Sequence, residues 1–293
     1  MIWIVGIGET GHRALEQMAT LPLYGVEYFR VSNRRDGPHG PSGHSGPAPE
    51  GAGDVTGERP RAGPVCGAGE LAAQVQTADL LYLVADADDG PAVLEDTLAL
   101  ARAAREARVL TVAAVTNSLS APGTPAPMAV DQVALAAELD SLFLLQPGPG
   151  EDRARQLLAA VQAVVDLLTE PAFVQFDFSD FRLVTANQGL GAMGVGVAGG
   201  TGAACRAAQA ALAGPSLRDG VLTGAYGLIV NITAGLGFSM EEYFVASNEL
   251  AKAPAEQTLV AASVVLKEDS GDTVRVSLLA TGIDPRRGAV GTA

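Results

Sequence analysis

Short apolar runs alternate with helix-like segments along the first half of the chain. Each run has the length of a strand and is apolar throughout, with no regular polar alternation. Such runs are typical of parallel strands buried on both faces, and their alternation with helices predicts a doubly wound α/β sheet. The predicted strands lie at 2–5, 27–31, 80–84, 109–115 and 141–145, with a helix after the first strand that ends near Met18.

The second half predicts a long helix followed by an α+β unit. Apolar positions between 151 and 168 recur at helical spacing, and Pro171 follows as a stop signal. We therefore expect an N-terminal domain over 1–150, a connecting helix over 151–170 and a C-terminal α+β domain over 171–293. Within that last domain the predicted strands are 174–177, 228–232, 259–266 and 274–279, and the predicted helices are 202–213 and 240–250.

Composition agrees with two packed domains, because 293 residues with 48% apolar content exceed the usual size of a single core. The segment 32–67 is dominated by Gly, Pro, Ser, His and Arg, so we predict a long mobile loop there. His39 and His44 lie in this loop with no third ligand at a suitable spacing, so we expect them to be solvated rather than metal-bound.

The net charge of -14 argues against nucleic acid or anionic lipid as a general partner, since both would be repelled. No segment is long enough to span a bilayer, and the opening apolar run lacks the basic flank of a signal peptide. Cys66 and Cys205 are far apart in the sequence, so we expect no structural disulfide, and a cytoplasmic location.

A glycine loop follows the first strand and opens the first helix. Its glycines are Gly6, Gly8 and Gly11. Backbone N–H groups in such a loop can bind phosphate. The same spacing is a dinucleotide fingerprint, and arginines at the end of the second strand (Arg30, Arg34 and Arg35) make an NADP-dependent oxidoreductase an alternative. A tight strand-to-helix turn without a ligand is the simpler structural explanation.

Four segments carry a family resemblance. They are Val-Gln-Phe-Asp-Phe-Ser-Asp-Phe-Arg-Leu-Val at 174–184, Gly-Ala-Met-Gly-Val-Gly-Val-Ala at 191–198, Gly-Leu-Ile-Val-Asn-Ile-Thr-Ala-Gly at 227–235 and Ala-Thr-Gly-Ile at 280–283. In order and spacing the chain resembles the bacterial cell-division protein FtsZ of the tubulin superfamily. Segments 5–8, 78–84, 111–116 and 139–142 follow the same template more loosely. The resemblance ends where the globular part of FtsZ ends, without the tail and terminal adaptor peptide of that family.

The resemblance implies a nucleotide-binding upper domain and an activating lower domain joined by the central helix. In that family, GTP on one subunit is hydrolysed when the synergy loop of the next subunit, Asn-x-Asp-x-x-Asp, closes over it. Here the loop reads Gln175-x-Asp177-x-x-Asp180, so both carboxylates are kept. They are candidates to act on a neighbour's nucleotide. The alternative is that they stabilise the start of a helix near Ser179.

The family's second phosphate loop aligns with residues 86–94, where Gly90 is the one glycine kept. Three carboxylates stand in this loop: Asp86, Asp88 and Asp89. A close like-charge pair costs about 4 kcal/mol near a protein surface, whereas micromolar binding supplies about 8 kcal/mol in total. We therefore predict weak or lost GTP binding unless a magnesium ion bridges the carboxylates. The alternative is that they cap a helix that begins near Pro91.

These features predict a pseudo-GTPase that works as a filament-forming cytoskeletal protein and needs no cofactor. The expected partners are further copies of the chain, a genuine FtsZ, or both, with no nucleic acid and no direct membrane insertion. The family's base-binding positions fall near Gly150, Ala154 and Arg155, which leave no purine-reading side chains. The main alternative is an active GTPase that polymerises with GTP as FtsZ does, with GTP or GDP and Mg²⁺ as its cofactors.

Overall fold

The computed structural model describes residues 1–18, 25–31, 63–116, 130–146, 150–174, 176–217 and 220–283. Its strands are β1 (Ile2–Ile7), β2 (Val26–Val31), β3 (Val65–Cys66), β4 (Leu80–Asp86), β5 (Leu110–Thr116), β6 (Ser141–Leu145), β7 (Ala172–Val174), β8 (Gly189–Gly199), β9 (Gly227–Ala234), β10 (Leu259–Leu266) and β11 (Thr273–Thr281). Its helices are α1 (Gly8–Met18), α2 (Ala68–Ala72), α3 (Pro91–Glu106), α4 (Val130–Glu138), α5 (Arg153–Thr169), α6 (Phe178–Thr185), α7 (Ala203–Leu212) and α8 (Met240–Leu250). In these described ranges, eleven strands form one sheet in the order β3-β2-β1-β4-β5-β6-β8-β11-β9-β10-β7.

The N-terminal half is a parallel sheet with helices on both faces. Strands β3, β2, β1, β4, β5 and β6 all pair in parallel, and every residue of β4 and β5 is buried. Successive side chains alternate between the faces. Ile4 and Tyr82 pack with α1 and α5, whereas Trp3 and Leu81 belong to the core under α2, α3 and α4. The predicted doubly wound α/β fold is confirmed.

The C-terminal half continues the same sheet with mixed strand directions. Strand β11 is antiparallel to β8 and β9, and β10 is parallel to β9 and antiparallel to β7. Helices α7 and α8 cover a third core. Helix α5 contributes to a core that also contains Tyr82 of β4, Ile229 of β9 and Leu279 of β11. The central helix therefore packs on both halves, and the short parallel pairing of β6 with β8 joins their strands directly.

Strand β8 is not predicted by hydrophobic patterning, because glycines interrupt its apolar residues. A Cβ atom on Gly194 would lie 2.3 Å from the carbonyl oxygen of Ala211, and one on Gly196 would lie 2.0 Å from that of Ala207. Both carbonyls belong to α7. The glycines therefore allow this helix to lie directly against the strand, as glycines in strands do where another backbone approaches closely.

Two sequence predictions need correction here. The strand predicted at 174–177 is wrong: β7 ends at Val174, and Asp177 is the N-cap of α6. Part of the predicted mobile segment 32–67 is ordered, because Val65 and Cys66 pair in parallel with β2. Residues 32–62, including Arg34, Arg35, His39 and His44, lie outside the described residues, as does Gln175.

Both cysteines are free in the structure. In the described part of the chain, no helix combines the length and the apolar character needed to cross a membrane.

A buried ion cluster ties the central helix to the C-terminal strands. Asp166 of α5 accepts a hydrogen bond from Lys267 at 2.8 Å and pairs with Arg275 of β11, while Glu170 pairs with Lys267 at 3.2 Å. Burial by itself would lower the pKa of Lys267, but the hydrogen bond to Asp166 and the neighbouring negative charges outweigh burial and raise the pKa. Each of the four groups thus has a partner of opposite charge within the cluster. Removal of one partner would leave a buried charge uncompensated.

Candidate functional site

The glycine loop lies at the carboxyl ends of β1 and β4, an edge of the sheet that we call the upper face. Gly8 has a φ of 79°, which favours glycine. A Cβ atom on Gly11 would lie 2.5 Å from the carbonyl oxygen of Val84 in β4, so any side chain there would push α1 away from the sheet. Backbone conformation and close packing thus explain these two glycines without a ligand.

Asp89 occupies the start of α1 with its carboxylate. The backbone N–H of Thr10 donates to Asp89 Oδ2 at 2.8 Å, and the Thr10 hydroxyl donates to Asp89 Oδ1 at 2.9 Å. The first N–H groups of a helix have no intrahelical partner and attract anions, phosphate included. Asp89 satisfies that requirement from within the chain, across 79 positions of sequence. A Cβ atom on Gly8 would lie 2.6 Å from Asp89 Oδ2, so the carboxylate also fills the space above that glycine.

The other two carboxylates of the upper face share an arginine. Arg153, the first residue of α5, donates to both carboxylate oxygens of Asp86 at 3.1 Å and also pairs with Asp88. Asp86 is 1% exposed, and it accepts a further hydrogen bond from the Asp88 backbone N–H at 3.0 Å. Desolvation by itself would lower the pKa of Arg153, but these hydrogen bonds and charges outweigh desolvation and raise it. The central helix is therefore anchored to the end of β4.

These contacts change the expected electrostatics of the loop. The carboxylates are not three unpaired charges, since Asp86 and Asp88 face Arg153 and Asp89 faces helix donors. The capping role predicted for the helix near Pro91 is also wrong, although α3 begins at that residue. Its N-cap is Gly90, with no side-chain cap, while Asp86 caps the 3-10 turn Ala87–Asp89 instead. The Thr10 backbone N–H at the start of α1 is thus already bonded to a carboxylate of the chain.

Two further polar side chains near the glycine loop, His12 and Arg30, have structural partners. The His12 ring nitrogen Nε2 lies 2.9 Å from the carbonyl oxygen of Val31, and burial lowers the pKa of this histidine. Arg30 pairs with Glu16 at 3.1 Å and donates to the carbonyl oxygen of Gly63 at 3.2 Å, so two of its three side-chain nitrogens have partners within the chain.

The upper face does not fit a bound magnesium ion. Both oxygens of Asp86 accept hydrogen bonds from Arg153, and both oxygens of Asp89 accept hydrogen bonds from Thr10. Among the described residues, no group of three His, Cys, Asp or Glu side chains is placed to hold a metal ion.

The two carboxylates of the synergy loop form a capping box at the start of α6. Asp177 Oδ1 accepts a hydrogen bond from the Asp180 backbone N–H at 2.9 Å, and Asp180 Oδ2 accepts one from the Asp177 backbone N–H at 3.1 Å. The structural explanation offered from the sequence is therefore confirmed, with the helix starting at Phe178. The box engages one oxygen of each carboxylate. Their action on a neighbour's nucleotide stays a prediction.

Sequence reasoning missed Thr10 and Arg153 as partners of the acidic loop. Thr10 lies inside the glycine loop with no signal of its own, and Arg153 stands beside Ala154 and Arg155, which align with the family's base-binding positions. The available signal was topological, because a parallel sheet brings the ends of β1 and β4 to one edge, where α5 begins.

Comparisons with known proteins agree with this architecture. The profile for the FtsZ family, C-terminal domain, matches residues 189–284. The chain is 28% identical to the cell division protein FtsZ of Buchnera aphidicola subsp. Schizaphis graminum, over 97% of this chain and 79% of that protein. Its fold matches a solved structure titled an empty FtsZ dimer from M. jannaschii with a TM-score of 0.75 at 18% identity, covering 97% of this chain and 89% of the other. The chain is an FtsZ-like protein.

A more distant solved structure shares the same fold. GDP-form protofilaments of TubZ from Bacillus thuringiensis serovar israelensis match the FtsZ-like chain with a TM-score of 0.56 at 11% identity, over 98% of this chain and 86% of the other. The FtsZ profile and the FtsZ relative confirm the FtsZ resemblance read from the sequence. The nucleotide status of the chain and its partners are a separate matter.

Proposed function

We propose that this FtsZ-like protein forms filaments without a guanine nucleotide on its own upper face, as a pseudo-GTPase. The observation that carries the proposal is the double hydrogen bond from Thr10 to Asp89. A phosphate group that entered the glycine loop would need the same backbone N–H. It would first have to displace a carboxylate and would then lie beside it.

The size of this obstacle follows from the bonds involved. A hydrogen bond to a charged group contributes about 1.5–3 kcal/mol, so breaking both costs roughly 3–5 kcal/mol after partial exposure is allowed for. Each 1.4 kcal/mol is a factor of ten in affinity, so micromolar binding would be weakened by about two to four decades. GTP would then be bound poorly at cellular concentrations.

The start of α6, with Asp177 and Asp180, forms what we call the lower face. It supports self-association and, as a finer hypothesis, assembly with a genuine FtsZ. Asp177 and Asp180 are both exposed, and their capping box leaves one oxygen of each free to meet a neighbouring subunit. The dimer of M. jannaschii FtsZ and the protofilaments of TubZ are assemblies of proteins with a similar fold, which supports self-association. A subunit of this kind would engage the nucleotide of a true FtsZ below it but offer none to the subunit above.

Nucleotide extraction from freshly purified protein tests the central claim. We expect no guanine nucleotide in the extract, and sedimentation of filaments that does not depend on added GTP. Stoichiometric GDP or GTP in the extract, or pelleting that strictly requires GTP, would contradict the proposal.

Mixing with a purified FtsZ tests the role of the lower face. We expect the protein to change GTP turnover by FtsZ filaments, and Asp180→Asn to reduce that effect because it keeps a capping acceptor but removes the charge. Asp269→Asn, on an exposed turn, is the matched control. Steady phosphate release by the protein alone, abolished by Asp180→Asn, would instead favour the active GTPase.

A further inference from the structure

One edge of the sheet is only partly covered. Strand β10 pairs with β9 along all eight of its residues, but β7 covers its other side only at Val264 and Val265. Burial follows this coverage. Residues 263–265 are buried, whereas Val260 is 50% exposed, and its neighbours Leu259, Ala261 and Ala262 are all partly exposed.

The hydrogen-bond pattern shows which backbone groups face outward. The N–H of Leu259 donates to Tyr226 at 2.9 Å and the N–H of Lys267 donates to Ala234 at 2.8 Å, both on the side of β9. Because backbone groups alternate along a strand, odd-numbered residues of β10 face β9 and even-numbered ones face the edge. The N–H and C=O groups of Val260 and Ala262 therefore point outward, and no other described strand pairs with them.

Among the described residues, nothing protects the free segment 259–262 in the way that edge strands are usually protected. Exposed edges are normally blocked by a lysine, a proline, a bulge or a covering loop. The free segment reads Leu-Val-Ala-Ala, and the only irregularity of the β10 edge lies further along, between Val264 and Val265. An uncharged edge of this kind is complementary to another extended strand.

A cleft of about 270 Å³ runs along the same segment. It is lined on one side by Leu259, Val260, Ala261 and Ala262, and on the other by Phe176, Asp180, Leu183 and Val184. Leu183 is 57% exposed and supplies an apolar surface opposite the strand. Asp180 alone is charged among the residues that line the cleft, so the cleft favours a cation.

We propose that the free edge of β10 is a strand-addition site for an extended segment of a partner protein that carries lysine or arginine beside alternating apolar residues. The added strand would bond to the outward groups of Val260 and Ala262, place apolar side chains against Leu183 and set its cation near Asp180. This site goes beyond the proposed filament function and does not depend on the nucleotide status of the upper face.

Charge disfavours a second copy of the chain as the occupant. Two copies paired through this edge would form a two-fold interface, in which the same residues meet from both sides. That arrangement would bring both copies of Asp177 and Asp180 near one axis, in a protein of net charge -14. A basic partner has no such cost.

The test uses the heptapeptide Lys-Val-Thr-Val-Thr-Val-Lys-amide with a fluorescent label on its N-terminus, titrated with the full chain at low salt. Val260→Pro is the informative variant, because it removes one outward N–H without touching the ladder to β9. Val260→Thr is its matched control and keeps the N–H. A second arm titrates the wild-type protein with the same peptide N-methylated along one edge. This peptide keeps its side chains but lacks the backbone donors of that edge. A third arm replaces both lysines of the peptide with glutamate.

We expect saturable binding to the wild type and to Val260→Thr, weakened about tenfold by Val260→Pro and by N-methylation. The glutamate peptide should bind about threefold more weakly, and that difference should shrink as salt is added. No binding at 1 mM peptide, or equal binding by the N-methylated peptide, would overturn the proposal. If sedimentation velocity shows wild-type dimers that Val260→Pro converts to monomers, the occupant is a second copy and the proposed partner is wrong.

Discussion

Replacing Asp89 with alanine is expected to destabilise the fold and to open the glycine loop to anions. The substitution removes the acceptor for both the backbone N–H and the hydroxyl of Thr10. The start of α1 then has an uncapped N–H at the end of a helix dipole, in a pocket that the carboxylate had filled.

The magnitude can be worked from those two bonds. Loss of a helix cap costs about 1 kcal/mol, and loss of the partly buried hydroxyl bond adds about 1–2 kcal/mol, so the free energy of unfolding should fall by roughly 2–3 kcal/mol. For a chain of this size, each kcal/mol lowers Tm by about 2–4 °C. We therefore expect Tm to fall by about 5–10 °C.

Inorganic phosphate should restore part of that loss in Asp89→Ala. At a concentration ten times its dissociation constant, a ligand that binds only the folded state adds about 1.4 kcal/mol of stability. Thermal melts with increasing phosphate should therefore raise the Tm of Asp89→Ala by about 3–5 °C more than that of the wild type. The wild type corrects for the general stabilising effect of phosphate on proteins.

Asp88→Ala is the matched control, because it removes a carboxylate from the same turn and leaves both bonds from Thr10 intact. A Tm within 1 °C of wild type for Asp89→Ala would refute the structural role of the contact. Equal stabilisation of Asp89→Ala and the wild type by phosphate would refute the claim that the Asp89 carboxylate occupies an anion site.

Three further predictions concern the rest of the fold. Gly196→Ala should lower the free energy of unfolding by more than about 2 kcal/mol in denaturant titrations, because its Cβ would lie 2.0 Å from a backbone oxygen of α7. The control is Gly237→Ala, whose Cβ would have no atom within 4 Å. This control should change the free energy of unfolding by less than about 1 kcal/mol. Asp166→Ala should lower the free energy of unfolding by about 3–5 kcal/mol in the same assay, because it removes the partner of Lys267 and Arg275. Its control, Asp269→Ala on an exposed turn, should change the free energy of unfolding by less than about 0.5 kcal/mol. Burial and the charge of Asp166 raise the pKa of Tyr28 to about 12, so a spectrophotometric titration should show a late ionisation that Tyr28→Phe removes. The stability that Tyr28 contributes is complete below about pH 10 and is lost as pH rises from about 10 to 12, and a midpoint near 10 for this tyrosine would contradict its burial.

Elements with strong local signals were predictable from the sequence. The predictions for β6, β10 and α8 agree with the structure to the residue. The first two are apolar or small-residue runs of strand length, and α8 begins with a capping box in which Ser239 and Glu242 exchange hydrogen bonds. Strand β8 lacked such a signal because its glycines serve packing with α7 and lower its hydrophobicity.

The candidate site was only half predictable, since its contacts join distant parts of the chain. The glycine loop and the acidic turn were recognised as neighbours through the family resemblance. Their bonds, from Thr10 to Asp89 and from Arg153 to Asp86, span 79 and 67 positions of sequence and leave no local periodicity. Whether a carboxylate repels a ligand or replaces it depends on those contacts, and composition does not distinguish the two cases.

The continuity of the sheet across β6 and β8 has a geometric consequence for assembly. Neighbouring strands rotate by about 20–25°, so ten steps across eleven strands turn the far margins by on the order of 200° relative to each other. Molecules joined margin to margin would therefore form a strongly twisted ribbon. Molecules stacked along the strand axes, top on base, would keep this rotation within each subunit.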